Sequence, residues 1–135
     1  MIMKKTDKKV LLVDDMPTIL KQGVDIMSLR YTVETAASAE EAYEKAESFK
    51  PDIVLMDVNL PDESGISCME RIHAIPGFED IPFILLINDL SIMTNARAYD
   101  QGASDFMRKP FITNNVYRKI DMHLKLAEIG WKFEL

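Results

Sequence analysis

The sequence predicts a single α/β domain built on a parallel five-stranded sheet with helices on both faces. Short apolar runs, typical of buried strands, alternate along the chain with amphipathic stretches that are typical of helices. The 135 residues are 47% hydrophobic and 28% charged, which suits one globular domain with its own core. We expect residues 1–127 to form this domain and residues 128–135 to be a C-terminal tail or the start of a linker.

Five strands are predicted, at residues 10–13, 32–36, 53–56, 83–87 and 104–108. The first, third and fourth are continuous apolar runs, which indicates strands covered on both faces. The second is rich in β-branched residues, and the fifth is a weaker candidate.

Helical stretches follow each of these strands. Pro17 suits the first turn of a helix, and Ser38 followed by Glu41 forms a capping box. Pro76 with Gly77 stops the third helix, and Gly102 suits the left-handed position after the fourth. The apolar residues that recur at helical spacing are Leu20, Val24 and Met27; Ala42, Ala46 and Phe49; Ile66, Met69 and Ile72; Ile92 or Met93, Ala96 and Tyr99; and Val116, Ile120, Leu124 and Ala127.

This strict alternation implies a doubly wound sheet with right-handed crossovers. For five strands the flavodoxin-like order 2-1-3-4-5 is the leading candidate. In such sheets the ligand site lies beyond the carboxyl ends of the strands, so functional residues are expected just after strands 1, 3, 4 and 5.

Charged residues stand at several of these strand ends. Asp14 and Asp15 follow the first strand, Asp57 follows the third and Lys109 follows the fifth. Gathered acids repel one another unless a cation neutralises them, and Mg²⁺ prefers such oxygen ligands. Lys109 could then supply a second positive charge to a bound phosphoryl group. Taken singly, each acid could be structural, and Asp15 could simply cap the first helix.

Composition and charge exclude other function classes. The net charge of −6 disfavours binding to a nucleic-acid backbone, and no apolar run approaches the roughly 20 residues that a membrane span needs. With the single Cys68 and no secretory signal, we expect a cytoplasmic location without nucleic-acid or membrane partners. His73 and His123 have no metal-binding spacing, and we expect them to be exposed helical residues.

These motifs together resemble the receiver domain of response regulators in two-component systems. The resemblance runs from about Lys8 to about Leu126. Its motifs are VLLVDD at 10–15, PDIVLMD at 51–57, LPDESG at 60–65, GASDF at 102–106 and KPF at 109–111.

The resemblance implies a phosphorylation site. Asp57 would accept a phosphoryl group from a histidine kinase or a histidine phosphotransfer protein, and Lys109 would pair with the phosphoryl oxygens. Mg²⁺ would be held by Asp57, by Asp15 directly, by Asp14 mainly through coordinated water and by the main-chain carbonyl of Asn59. Such a domain catalyses its own phosphorylation and dephosphorylation without turning over an external substrate.

The family also suggests partners. The phosphorylated domain would signal through a downstream protein or a fused output domain. It would be a monomer or a weak dimer formed through the fourth helix, the fifth strand and the fifth helix.

One position departs from the family pattern. Ile87 stands where a receiver usually has Thr or Ser, although the aromatic partner in the fifth strand, Phe106, is retained. Ile has no hydroxyl to bond a phosphoryl group, so three interpretations remain. Asn88 or Ser91 could substitute as the donor; phosphorylation could proceed with little conformational change, which we favour; or the domain could be a phosphorylation-independent interaction module.

Two neighbouring residues are candidates for tuning dephosphorylation. Asn59 lies two residues after the acceptor and Asp89 lies two after Ile87. Asp89 could hold an attacking water, or it could equally be a solvated loop acid or the cap of the fourth helix.

Proteins of two other classes deserve comparison. A flavodoxin cradles a phosphate with its first loop, where Asp14 and Asp15 would repel it. A phosphohydrolase with an aspartate nucleophile needs a second acid two residues later, where this chain has Asn59.

Overall fold

The computed structural model describes residues 5–88 and 98–130, which form the predicted alternation of strands and helices. Residues 98–100 are helical and are labelled α4 here. The other elements are β1 Lys9–Val13, α1 Pro17–Met27, β2 Thr32–Ala36, α2 Ala39–Phe49, β3 Ile53–Asp57, α3 Gly65–His73, β4 Phe83–Ile87, β5 Asp105–Arg108 and α5 Thr113–Glu128.

The five strands form one parallel sheet in the order β2-β1-β3-β4-β5, which confirms the predicted fold class and strand order. The central strands β3 and β4 are buried at every position, as their continuous apolar runs predict. The edge strand β2 alternates between exposed and half-buried residues before it ends at the buried Ala36.

Two apolar cores lie on opposite faces of the sheet, because successive strand side chains point to opposite sides. One core packs strand residues such as Val54 and Met56 against α2 and α3. The other packs Leu12 and Leu55, among others, against α1 and α5. Within the described residues, no helix combines the length and apolar character that a membrane span requires.

The start of α2 follows a local sequence signal. The Ser38 hydroxyl oxygen accepts a hydrogen bond from the Glu41 amide at 3.2 Å, as the capping box predicts. The Glu41 carboxylate accepts one from the amide of Ala37, one residue before the cap, at 3.1 Å. In the fourth predicted helix, residues up to 97 lie outside the described residues, as do Asp89 and Ser91.

The expectation that both histidines are exposed is wrong. His123 is buried, and its Nε2 lies 2.9 Å from Oδ2 of Asp105 on β5. His73 is half-buried, with Nε2 2.9 Å from the Ile81 carbonyl oxygen. Helical periodicity could not reveal this, because each partner lies on a separate segment that only the fold brings close.

The Asp105 carboxylate also binds the Lys119 ammonium at 2.9 Å, so this single acid joins β5 to two turns of α5. Burial raises the pKa of Asp105, but hydrogen bonds from His123, Lys119 and the Phe106 amide outweigh it and lower that pKa to about 2. The ionised form of Asp105 is therefore more stable in the folded state than in the unfolded state.

We expect this acid to make folding pH-dependent. Because its folded pKa lies below the unfolded value, the stabilisation is complete above about pH 4 and is lost as the pH falls towards 2. The shift corresponds to roughly 2 kcal/mol in the free energy of unfolding. Denaturant titrations of the parent and Asp105→Asn should differ by about this amount at pH 7 and converge on acidification. A difference in the free energy of unfolding that does not depend on pH would contradict this assignment. Asp25→Asn, which changes an acid in an exposed ion pair, is the control.

Candidate functional site

Charged groups from three segments meet at the carboxyl edge of the sheet. Asp14 follows β1, Asp57 is the last residue of β3 and Lys109 follows β5. The Lys109 Nζ lies 2.7 Å from Oδ2 of Asp14 and 3.3 Å from Oδ2 of Asp57. The exposed fractions are 0% for Asp14, 5% for Asp57 and 8% for Lys109, so this ion-paired group is shielded from solvent.

Asp15 adds a third carboxylate at the exposed rim of this group. One carboxylate oxygen from each of Asp14, Asp15 and Asp57 lies within 4.8 Å of the other two. The alternative of Asp15 as a helix cap is wrong, because α1 is capped by Met16 without a side-chain bond. The local acceptor is instead Oδ1 of Asp14, which binds the Met16 amide at 2.9 Å.

The electrostatics of this group favour a cation. Burial raises the pKa of Asp57 above its usual value, and this outweighs the lowering by the Asn59 amide, which donates to Oδ1 at 3.3 Å. Burial lowers the pKa of Lys109, but Asp14 and Asp57 together raise it above the usual value. With all groups ionised, three carboxylates and one ammonium leave two negative charges, which match a hard divalent cation with oxygen ligands.

Behind Asp57, the chain turns through a short closed loop, residues 58–64, before α3. The Gly65 amide donates to the Val58 carbonyl at 2.9 Å, and Asn59 and Ser64 form an antiparallel bridge. A Cβ on Gly65 would lie 2.1 Å from the carbonyl oxygen of Asp57. Gly65 has no role of its own in the motif at 60–65, and this close backbone approach supplies one.

Helix α1 holds the segment that follows Lys109. The Lys109 amide donates to the Ile87 carbonyl at 3.0 Å, and the Lys109–Pro110 peptide bond is cis. The Gln22 amide group accepts from the Phe111 amide at 3.3 Å and donates to its carbonyl at 3.5 Å. Sequence reasoning did not find Gln22, since no local pattern links it to a segment 89 residues away.

Ile87 ends β4, one residue beyond Leu86, which is the register partner of Asp57 on β3, and is 4% exposed. Its side chain belongs to the same apolar core as Phe106. Phe106 is buried, with the Tyr99 ring packed edge-on at 5.0 Å between ring centres. Asn88 is exposed. The end of β4, beside β3, is therefore apolar and packed.

Comparison with known proteins identifies a family. Residues 10–121 match the response regulator receiver domain. The chain is 32% identical to the alkaline phosphatase synthesis transcriptional regulatory protein PhoP of Bacillus subtilis over 127 residues, which is 92% of this chain and 51% of that protein. It is 34% identical to the transcriptional regulatory protein KdpE of Staphylococcus aureus over 98 residues, 73% of this chain and 41% of that protein. The chain thus spans about half the length, or less, of these curated relatives.

Solved structures agree with this match. A CheY-like response regulator receiver domain protein from Methanospirillum hungatei superimposes with a TM-score of 0.85 at 28% identity, covering 93% of this chain and 99% of that one. The chemotaxis protein CheY4 of Vibrio cholerae gives a TM-score of 0.82 at 26% identity, covering 87% and 98%.

Proposed function

Since this chain belongs to the response regulator receiver domains of two-component systems, we propose that it accepts a phosphoryl group on Asp57 in a Mg²⁺-dependent reaction. The donor would be a histidine kinase or a histidine phosphotransfer protein. The observation that carries the proposal is the buried group of Asp14, Asp57 and Lys109, with Asp15 at its rim. It combines a carboxylate nucleophile, an ammonium and a set of cation ligands within one site.

Phosphoryl transfer mainly requires positioning and charge neutralisation. A carboxylate oxygen of Asp57 forms a bond to phosphorus as the bond from phosphorus to the donor's imidazole nitrogen breaks, and that nitrogen keeps the electron pair. The Lys109 ammonium, within 3.3 Å of Asp57, would pair with the transferred phosphoryl oxygens. Bound Mg²⁺, held by Asp14, Asp15, Asp57 and the Asn59 carbonyl, would supply the remaining neutralising charge.

The product would be an acyl phosphate, which water attacks, so the phosphorylated state would be transient. We propose that Asn59, exposed beside Asp57, influences the access of that water. The same role is proposed for Asp89 on the basis of its sequence position alone. The domain would thus catalyse its own phosphorylation and dephosphorylation, without turnover of an external substrate.

Downstream signalling would use contacts with another protein or with a fused output domain. The chain covers only part of its curated relatives, among them the hybrid signal transduction histidine kinase D of Dictyostelium discoideum, of which it covers 7%. We propose residues 1–127 as the receiver unit, in a cytoplasmic protein that is a monomer or a weak dimer through α4, β5 and α5. Residues 128–135 would be a tail or the start of a linker.

The test is the intact mass of the parent chain and of Asp57→Asn after incubation with acetyl phosphate, with and without Mg²⁺. We expect one added phosphoryl group that requires Mg²⁺ and is absent from the variant. If Mg²⁺ binds but no adduct forms at any labelling time, the proposal is wrong. The phosphorylation-independent interaction module would then be favoured, since Ile87 and the already buried Phe106 support it.

We further propose that phosphorylation changes the surface only weakly, because Ile87 offers no hydrogen-bond donor to the phosphoryl group. Ile87→Thr should enlarge the phosphorylation-induced amide chemical-shift changes around Phe106 without being needed for labelling. One charge-assisted hydrogen bond, worth roughly 1.5–3 kcal/mol, is enough to shift a two-state population tenfold. Ile87→Val is the control, since it has the shape of Thr without the hydroxyl. Equal responses of the Thr and Val variants would contradict this account.

A further inference from the structure

The loop behind Asp57 is tied to a helix that takes no direct part in the site. The Asp62 carboxylate accepts a hydrogen bond from the Ala39 amide at 2.9 Å and from the Glu40 amide at 3.0 Å, one through each oxygen. These are the first two residues of α2. A carboxylate here also interacts favourably with the positive end of the helix dipole.

The hydrogen bonds of Asp62 join two segments that each have local hydrogen bonds of their own. The next amide of α2, that of Glu41, is bound by Ser38 within the same segment. The loop is closed at its base by the Gly65–Val58 hydrogen bond and the Asn59–Ser64 bridge. Asp62 therefore secures the far end of a loop whose base is already closed.

We infer that Asp62 is a positioning residue, which holds the loop against α2 so that the main-chain carbonyl of Asn59 is in place before a metal ion arrives. This inference rests on the Mg²⁺ site proposed above. Both Asp62 oxygens are committed to amide donors, so the residue acts through the loop and not as a ligand. A ligand that is already ordered loses less conformational freedom on binding, and supporting contacts of this kind raise metal affinity.

The test compares Mg²⁺ binding by three variants, followed through amide chemical shifts of ¹⁵N-labelled protein. We expect Asp62→Ala to raise the Mg²⁺ dissociation constant about tenfold, at the lower end of the effects of outer-shell residues. Asp62→Asn keeps one acceptor oxygen and should be intermediate. Ser38→Ala removes a capping bond from the same helix without touching the loop, and we expect less than a twofold change, on the order of the error of such a titration.

Equal Mg²⁺ affinity in Asp62→Ala and the parent would overturn the inference. Equal weakening by Asp62→Ala and Ser38→Ala would also overturn it, since a general effect of helix capping would then suffice. Hydrogen exchange of the Gly65 amide gives a second readout that needs no metal: we expect faster exchange in Asp62→Ala than in Ser38→Ala. If the parent chain binds no Mg²⁺, the proposed function is wrong, and the exchange experiment still tests the role of Asp62. Unchanged exchange of the Gly65 amide in Asp62→Ala would show that Asp62 does not hold the loop.

Discussion

Gly65→Ala is expected to lower the free energy of unfolding by about 3 kcal/mol, at the high end for overpacking a tight site. The added methyl group would lie 2.1 Å from the Asp57 carbonyl oxygen and 3.0 Å from the Val58 Cα. Both are backbone atoms, so no side-chain rotation can relieve the contact, and α3 must move away from β3. Since Asp57 ends β3, we also expect slower labelling by acetyl phosphate. Chemical denaturation and intact-mass time courses measure the two effects.

Gly77→Ala is the matched control for this prediction. Gly77 has a φ of +93°, but a Cβ there would meet nothing within 4 Å. The substitution should therefore cost only backbone strain, on the order of 1 kcal/mol, and should leave labelling unchanged. If Gly65→Ala proves no more destabilising than Gly77→Ala, the close approach to Asp57 is not a real constraint on the fold.

Lys109→Met is expected to destabilise the chain by about 3 kcal/mol, because removal of one partner leaves buried charges uncompensated. Asp14 and Asp57 would both lose their cation while they remain buried. Met preserves the apolar stem, so the change mainly removes the charge. We also expect Mg²⁺ to raise the unfolding temperature more in this variant than in the parent, since the ion would replace the missing positive charge. Unfolding curves at several Mg²⁺ concentrations check both statements.

The loss in the free energy of unfolding that Lys109→Met causes should shrink as the pH falls towards 4. Burial already raises the pKa of Asp57, and loss of the Lys109 ammonium, which lowers that pKa, raises it further, so protonation of Asp57 relieves the repulsion at low pH. Lys21→Met, which removes an exposed pair with Asp25, is the control and should change stability little. A stability loss in Lys109→Met no larger than in Lys21→Met would show that the buried carboxylates do not depend on the ammonium.

The local sequence pattern was sufficient to predict the sheet and the edge of the sheet where its charged residues meet. The continuous apolar runs around Val54 and Leu85 predict strands buried on both faces, and the alternation with helices predicts the strand order that the structure confirms. Parallel strands end at a common edge, so Asp14, Asp57 and Lys109 had to come close once that topology was chosen. Their roles in phosphoryl transfer stay predictions that the labelling experiment decides.

Contacts between distant segments were decided only by the tertiary structure. The sequence by itself determined the strands, the helices and the edge where the acids meet, because periodicity and strand ends are local features. It could not show that Asp62 binds the start of α2, that Gly65 touches the Asp57 carbonyl or that His123 is buried against Asp105. Each depends on the distance between packed elements, which is set by side-chain volumes across the whole core and leaves no signature in the neighbouring residues.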